Sequence, residues 1–311
     1  MRKIGVDLGG TKIEVAVLDD QDEIIWRERV ATPKGDYAGT IIAMVDLIKR
    51  AEADCGRVES IGVGTPGAIS PATGLIKNAN SVVLNDKPLK KDLEARLGRQ
   101  IFMANDANCL ALSETRGGAA NGATSVFGVI LGTGVGGGLV INGQVHTGAN
   151  AIAGEWGHNP LPWVNEEREL PGPQCWCGLR GCIEQWLSGP AFERDFAQHA
   201  SLTESAERDH VPAKEIIQRA DNQDKIALAA IERYEQRLAR ALAHMINMID
   251  PEVIVLGGGM SNVDRLYEQV PRQWADYIFS DHVATRLVAP VFGDSSGVRG
   301  AAFLPELGGR S

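Results

Sequence analysis

The 311-residue chain has no excess of basic residues: 31 Lys and Arg stand against 40 Asp and Glu, a net charge of −9. A protein that grips nucleic acid by general electrostatics is therefore disfavoured, whereas a local site for a small anion is not excluded. The chain also lacks a run of about 20 predominantly apolar residues, so no membrane-spanning segment is expected. One charge-free segment, residues 117–154, contains twelve glycines, and Thr133, Asn142, Gln144 and His146 interrupt its apolar stretches. The opening Met1-Arg2-Lys3-Ile4-Gly5-Val6-Asp7 reaches an acid after three uncharged residues and holds no signal-peptide core. Five cysteines, an odd number, do not make the disulfide framework of an exported domain. These absences predict a cytoplasmic protein with no membrane and no nucleic-acid partner.

What is present is ordinary globular material, 44% hydrophobic, and at roughly 150 residues per domain its length predicts two domains. Apolar runs predict strands at 4–8, 13–18, 23–30, 61–64, 101–104, 139–141 and 253–256. Helical patterns fall at 36–53, 89–97, after Asp106, at 225–248, at 263–277 and from about Val298. Strands interleaved with helices define an α/β fold around a sheet core. The opening also recurs. Shifted by 123 residues, Gly5 falls on Gly128, Val6 on Val129, Gly9 on Gly132, Val17 on Val140 and Gln21 on Gln144. The pattern points to a duplicated domain.

Each copy places a Gly/Thr turn between apolar strands: Gly9-Gly10-Thr11-Lys12 and Gly132-Thr133-Gly134. Such turns direct backbone N–H groups at one point and suit phosphate oxygens. Thr11 and Thr133 add hydroxyls, Lys12 a cation, and Asp7 a carboxylate able to hold Mg²⁺ through water. The alternative is a pair of structural turns without a ligand. No P-loop motif occurs. Two G-x-G-x-x-G matches, at residues 62–67 and 132–137, are followed by Ala-Ile-Ser-Pro and by a strand, where a dinucleotide site needs a helix.

Cys175, Cys177 and Cys182 crowd into eight residues, with Gly178 and Gly181 allowing the loop to wrap an ion. His158 is the natural fourth ligand of a closed structural zinc site; the other readings are reduced buried cysteines and a redox pair, for which C-x-C is not the usual C-x-x-C spacing. Cys55 and Cys109 read as core residues. Asn105-Asp106 follows the strand at 101–104, where α/β sheets bind ligands, although an Asp there also caps a helix. Glu155, His158 and Glu184 bracket the cysteines and could accept hydrogen bonds from a hydroxyl-rich ligand. Trp156 supplies an apolar flank, and surface charge is the other reading of the two glutamates.

Asp7-Leu8-Gly9-Gly10-Thr11-Lys12, Gly132-Thr133-Gly134-Val135-Gly136, Gly154-Glu155-Trp156-Gly157-His158 and Cys175-x-Cys177-x4-Cys182-x-Glu184 together resemble the ROK family (repressors, ORFs, kinases) over essentially the whole chain. The resemblance implies an actin-like, ribonuclease H-like duplicated fold whose two domains close a cleft over ATP and a hexose. It implies a small domain over 1–117, completed by the last helix at about 297–311, and a large domain over 118–296 with the zinc loop. It makes Asp106 the catalytic base, with Asn80, Asn105, Glu155, His158 and Glu184 on the sugar and Gly257-Gly258-Gly259 near the adenosine. His158 would serve the zinc as well. A homodimer is implied too.

Sixteen residues separate His158 from Cys175, longer than in many glucokinases of the family. With Asn159-Pro160-Leu161-Pro162-Trp163 and Asn78-Ala79-Asn80-Ser81, that insertion most resembles the bacterial fructokinase (manno-fructokinase) branch. Fructose, phosphorylated to fructose 6-phosphate, is thus the expected substrate, with N-acetylglucosamine or glucose as the alternative. The regulators of the family carry a helix-turn-helix ahead of this core, and with Asp7 opening the first motif none is expected here.

Overall fold

Two sheets built to one plan organise the chain. The structure, a computed structural model, describes residues 2–58, 60–202 and 210–308. Strands β1 (Lys3–Leu8), β2 (Lys12–Leu18), β3 (Ile24–Ala31), β4 (Ile61–Thr65) and, beyond the short hairpin β5 (Ala68–Ile69) and β6 (Ile76–Lys77), β7 (Ile101–Asn105) form the first. Its order is β3-β2-β1-β4-β7. The hairpin pairs β1/β2 and β2/β3 are antiparallel, whereas β1/β4 and β4/β7 are parallel. Near-continuous apolar runs in β1, β2 and β4 match burial on both faces; β3 alternates half-buried and exposed residues, as an edge strand does.

Helix α1 (Tyr37–Cys55) makes the crossover to β4, started by Asp36, whose side chain accepts from Gly39 N at 2.9 Å. Its Ile41, Met44 and Ile48 pack into the core with Val6, Val15 and Val63. Helices α2 (Leu89–Leu97) and α3 (Asp106–Thr115) flank β7.

The second sheet has strands β8 (Ser125–Leu131), β9 (Val135–Ile141), β10 (Gln144–Val145), β11 (Val253–Gly257) and β12 (Arg286–Val288), in the order β10-β9-β8-β11-β12. That is the first sheet's order position for position, and β2 shifted by 123 residues covers β9. Between β10 and β11 come α4 (Glu166–Glu169), α5 (Glu184–Leu187), α6 (Gly189–Leu202), α7 (Ala213–Asp221) and α8 (Lys225–Ile249). Helices α9 (Leu266–Trp274) and α10 (Ser296–Leu307) complete the chain. Residues 309–311 of the expected last helix lie outside the described residues. A β-carbon on Gly5 or Gly62 would collide with the backbone carbonyl of Val298 or Ala301, so these glycines let α10 lie directly on β1 and β4.

Two compact units result. Unit 1 comprises Met1–Gly128, Gly138–Gly154 and Pro290–Ser311; unit 2 comprises Val129–Gly137 and Glu155–Ala289. The helix expected at 263–277 is instead a 3-10 turn at Gly259–Asn262, then α9, then a second 3-10 turn at Ala275–Tyr277. Among the described residues no helix is long and apolar enough to cross a membrane.

Candidate active site

In unit 1 the first Gly/Thr turn is pinned from below. Gly9 N donates to Lys12 O at 2.9 Å, Thr32 Oγ1 to Gly9 O at 2.8 Å and Thr32 N to Thr11 O at 3.0 Å. The loop carbonyls are thereby occupied, while the N–H groups of Gly10 and Thr11 find no acceptor among the described residues. Unsatisfied donors at an exposed turn are what an anion-binding nest offers. The segment holding exposed Asn80 abuts the turn: a β-carbon on Gly10 would stand 3.1 Å from Ser81 Oγ. Asn85 clamps the neighbouring Ala79 through both its N–H and its C=O, each at 2.9 Å.

Asn105 ends β7 and caps α3, accepting from Asn108 N at 2.8 Å. Asp106 is therefore the first helical residue, not the cap, and its Oδ1 accepts from Ala107 N at 2.8 Å. Asp7, at the end of β1, faces a crowded field. Burial, then the Asp106 charge, then Glu14, raise its pKa to about 7, against the pull of Lys12 and Arg29. Two carboxylates whose charges oppose each other in a buried place favour a divalent cation, or a proton on one of them at neutral pH.

That shift has a measurable sign. A carboxyl whose pKa rises on folding favours the fold while protonated, and this advantage is lost as pH climbs from about 4 to about 7. At pH 8 the ionised Asp7 costs at most about 4 kcal/mol. In Mg²⁺-free protein, Asp7→Asn should raise Tm by several degrees at pH 8 and by clearly less at pH 5. Scanning calorimetry at the two pH values checks this, and an equal shift at both would refute it. Cys109, fully buried beside the two carboxylates, has its thiol pKa pushed up by burial and by their charges, as suits a core residue.

In unit 2 the second turn repeats the design. Gly132 N donates to Gly134 O at 3.0 Å, Gly189 N donates to Gly132 O at 2.8 Å, and the N–H groups of Thr133 and Gly134 find no acceptor among the described residues. A cavity of about 810 Å³ opens there, lined by Gly132, Thr133, Gly259 and Met260 on one side. Pro190 and Glu193 of α6 and Lys214, Ile217 and Gln218 of α7 complete it. Gly258 makes the approach feasible: its φ is +80°, and a β-carbon there would meet Leu131 O at 2.5 Å. The cavity's volume lies within the range of nucleotide-sized ligand sites. Of the residues expected at the adenosine, Gly259 lines it and Gly257 ends β11. The α6 and α7 residues were not anticipated. Glu193 links those two helices by accepting from Ala213 N at 2.8 Å.

The cysteine loop closes on His158. One ligand atom from each of His158, Cys175, Cys177 and Cys182 lies within 4.8 Å of all the others. Cys177 Sγ and Cys182 Sγ are 3.7 Å apart, as are Cys175 Sγ and His158 Nδ1. A tetrahedral zinc with bonds of about 2.3 Å to sulfur sets two sulfurs roughly 3.8 Å apart, whereas a disulfide needs about 2.05 Å. The donor set therefore fits zinc. With Nδ1 turned to the thiols, Nε2 of His158 remains for a hydroxyl.

Glu155 precedes the 3-10 turn Trp156–His158, and Trp156 Nε1 anchors that turn on Gly136 O at 3.0 Å. Glu184 is buried at the start of α5 with a partner on each oxygen: Trp176 Nε1 at 2.7 Å and Val135 N at 3.0 Å. It thus ties the metal loop to the strand leaving the second turn. The 159–174 insertion folds onto the same loop, through the Pro160↔Cys182 bridge and Leu161 N donating to Gly181 O at 3.0 Å.

A model of the ROK family matches residues 3–306. The N-acetyl-D-glucosamine kinase of Photobacterium profundum is 39% identical over 303 residues, covering 96% of this chain and 98% of that protein. Among solved structures, the ROK hexokinase of Thermus thermophilus superposes with a TM-score of 0.83 at 32% identity, covering 98% of this chain and 97% of that one. A ROK-family glucokinase from Streptomyces griseus, in complex with glucose and AMPPNP, gives 0.79 at 29% identity, with 98% and 99% covered. Relatives of this kind carry the name N-acetyl-D-glucosamine kinase where a fructokinase was expected.

Proposed function

The chain belongs to the ROK family, and from that premise we propose that this ATP-dependent sugar kinase phosphorylates the terminal hydroxyl of N-acetyl-D-glucosamine. The observation that carries the kinase reading is the repeated Gly/Thr turn, one copy of which lines a nucleotide-sized cavity. The names of the relatives favour N-acetyl-D-glucosamine. A second reading, fructose, rests on the 159–174 insertion, which packs against the metal loop beside His158 and Glu184.

Unit 2 holds the nucleotide: Thr133 and Gly134 offer N–H groups to phosphate oxygens, and Gly259 lines the nucleoside side, where Gly257 and Gly258 lead into it from β11. Gly9, Gly10, Thr11 and Lys12 offer the same chemistry from unit 1. Asp7 would hold Mg²⁺ through water, and the ion would neutralise charge on the transferring phosphoryl group. Asn80, Asn105, Glu155, His158 and Glu184 bind sugar hydroxyls. Asp106 accepts the proton from the terminal hydroxyl as that oxygen bonds to the γ-phosphorus and the bond from γ-phosphorus to the bridging oxygen breaks, releasing ADP. His158, Cys175, Cys177 and Cys182 would hold a structural zinc that shapes the sugar-binding loop without touching the phosphates.

Coupled ADP release with MgATP and a panel of N-acetylglucosamine, fructose, mannose and glucose tests both readings. The highest kcat/KM is expected for N-acetylglucosamine. A lead for fructose transfers specificity to the insertion, and no turnover of any sugar by zinc-replete protein overturns the kinase reading.

A further inference from the structure

Helix α8 presents Arg233, Arg237 and Arg240 at spacings of four and three, one stripe of the helix. They border a cavity of about 280 Å³ together with Trp163, Arg168 and Tyr277. It shares no lining residue with the nucleotide cavity. Two carboxylates meet the arginines. Glu169 accepts from Arg237 Nε at 3.0 Å and Arg240 Nη2 at 2.7 Å; Asp195 accepts from Arg233 Nη2 at 2.7 Å and Arg237 Nη1 at 2.8 Å. Arg237, Arg240, Glu169 and Asp195 are all buried.

The charges do not balance. Four guanidinium groups surround this hollow and only two carboxylates answer them. Arg168 is exposed and makes no ion pair with any described residue. The buried part of the network is neutral, Arg237 and Arg240 against Glu169 and Asp195, and the surplus positive charge lies at the rim, on half-buried Arg233 and exposed Arg168. A surplus of guanidinium at a concave surface matches the bidentate geometry of phosphate.

The rim adds an independent signal. Trp163 is 50% exposed and has φ +47°, a left-handed backbone conformation that is strained for a bulky residue. Arg240 Nη1 donates to Trp163 O and holds the residue there. The indole packs against Tyr277 with ring centroids 5.3 Å apart. Strain maintained to keep a large aromatic ring at the mouth of a cationic hollow is the mark of a binding wall. The volume is near the lower end of small-molecule sites, about 300–1,000 Å³, which suits a monosaccharide phosphate and is too small for a nucleotide.

We propose that this cavity is a second ligand site that binds a hexose phosphate, with Arg168 and Arg233 on the phosphate and Trp163 against the apolar face of the ring. A kinase releasing such a molecule would then sense it away from its catalytic residues. The site stands on its own geometry, so it survives if the sugar named above is wrong.

Equilibrium dialysis should use protein saturated with AMPPNP and sugar, so that the catalytic site is closed to the probes. The probes are labelled inorganic phosphate, fructose 6-phosphate and N-acetylglucosamine 6-phosphate. One equivalent of hexose phosphate is expected per chain. Arg168→Ala should weaken it roughly tenfold or more, and Trp163→Ala should weaken the esters but not inorganic phosphate. Both residues are largely exposed, and the two variants should fold with the wild-type Tm. Absence of binding to the doubly liganded wild type, or binding unchanged in Arg168→Ala, overturns the site. Inorganic phosphate binding as tightly as either ester overturns its assignment to a sugar phosphate.

Discussion

Asp106→Asn is expected to lower kcat by at least about 100-fold while leaving the fold intact, because a positioned base contributes typically 10²–10⁴-fold. The substitution keeps the shape of the side chain and the oxygen that accepts from Ala107 N at 2.8 Å, so the start of α3 should not fray. What it removes is the only property a base needs, the capacity to take a proton. It also removes a negative charge from beside Asp7, whose carboxyl is pushed up partly by that charge. Stability at pH 8 should therefore stay level or rise, the reverse of what a structural residue would give. KM for both substrates should move far less than kcat, since hydrogen bonding to the sugar is largely preserved. Turnover near wild type would take Asp106 out of the mechanism, and a fall in Tm that tracks the lost activity would make it a structural residue.

The parts of this fold that the sequence announced are those whose signals are local. Strands β1, β2, β8 and β9 carry apolar runs around Gly/Thr turns, and the recurrence at 123 residues survives as two sheets with the same strand order. Helix α8 is legible because 25 residues keep one period until Asp250 caps it in a left-handed conformation before Pro251. The metal loop is legible because its three cysteines fall within eight residues and His158 follows a motif, and side chains that close in sequence need little tertiary help to converge.

Helices α6 and α7 were not legible, although they wall the cavity proposed for the nucleotide. Helix α6 opens on Gly189-Pro190, a dipeptide that reads as a turn, yet proline at the start of a helix sacrifices only an N–H that would lack a partner anyway. The cavity itself draws residues from 131 to 263, and no periodicity encodes which of them will face one another. Glu184 is a similar case. Its spacing from Cys182 places it near the metal loop, but its bond to Val135 N depends on how α5 meets β9. Substrate identity is harder still, because a segment such as residues 159–163 resembles one branch of the family while the relatives matched over the whole chain carry another name.

Removal of the metal should have the second large effect, confined to the sugar side. Apart from the four ligands, the loop around Cys175, Cys177 and Cys182 is held by five backbone hydrogen bonds, among them Cys175 N to Leu179 O at 2.8 Å, and by the Gln174↔Arg180 and Pro160↔Cys182 bridges. Structural zinc carries roughly 10–16 kcal/mol of apparent binding free energy in small zinc peptides, far more than such contacts. Without it, burial and the neighbouring thiols push the Cys182 pKa up and favour its neutral form, and no ion draws the cysteines together. Trp176 is then released, and Glu184 loses the donor on one of its oxygens while His158 loses the partner that orients its ring.

The walls of the cavity proposed for the nucleotide, by contrast, include no residue of the loop. Cys182→Ser should therefore abolish stoichiometric zinc and raise KM for the sugar by roughly tenfold or more, the range seen when groups orienting a site are lost. Affinity for AMPPNP should change little. Metal analysis, sugar kinetics and a nucleotide titration on the same preparation separate the possibilities. Zinc-free protein with unchanged sugar KM would deny the metal its role, and equal loss of both ligands would mean that the loop supports the whole of unit 2 and not the sugar-binding residues in particular.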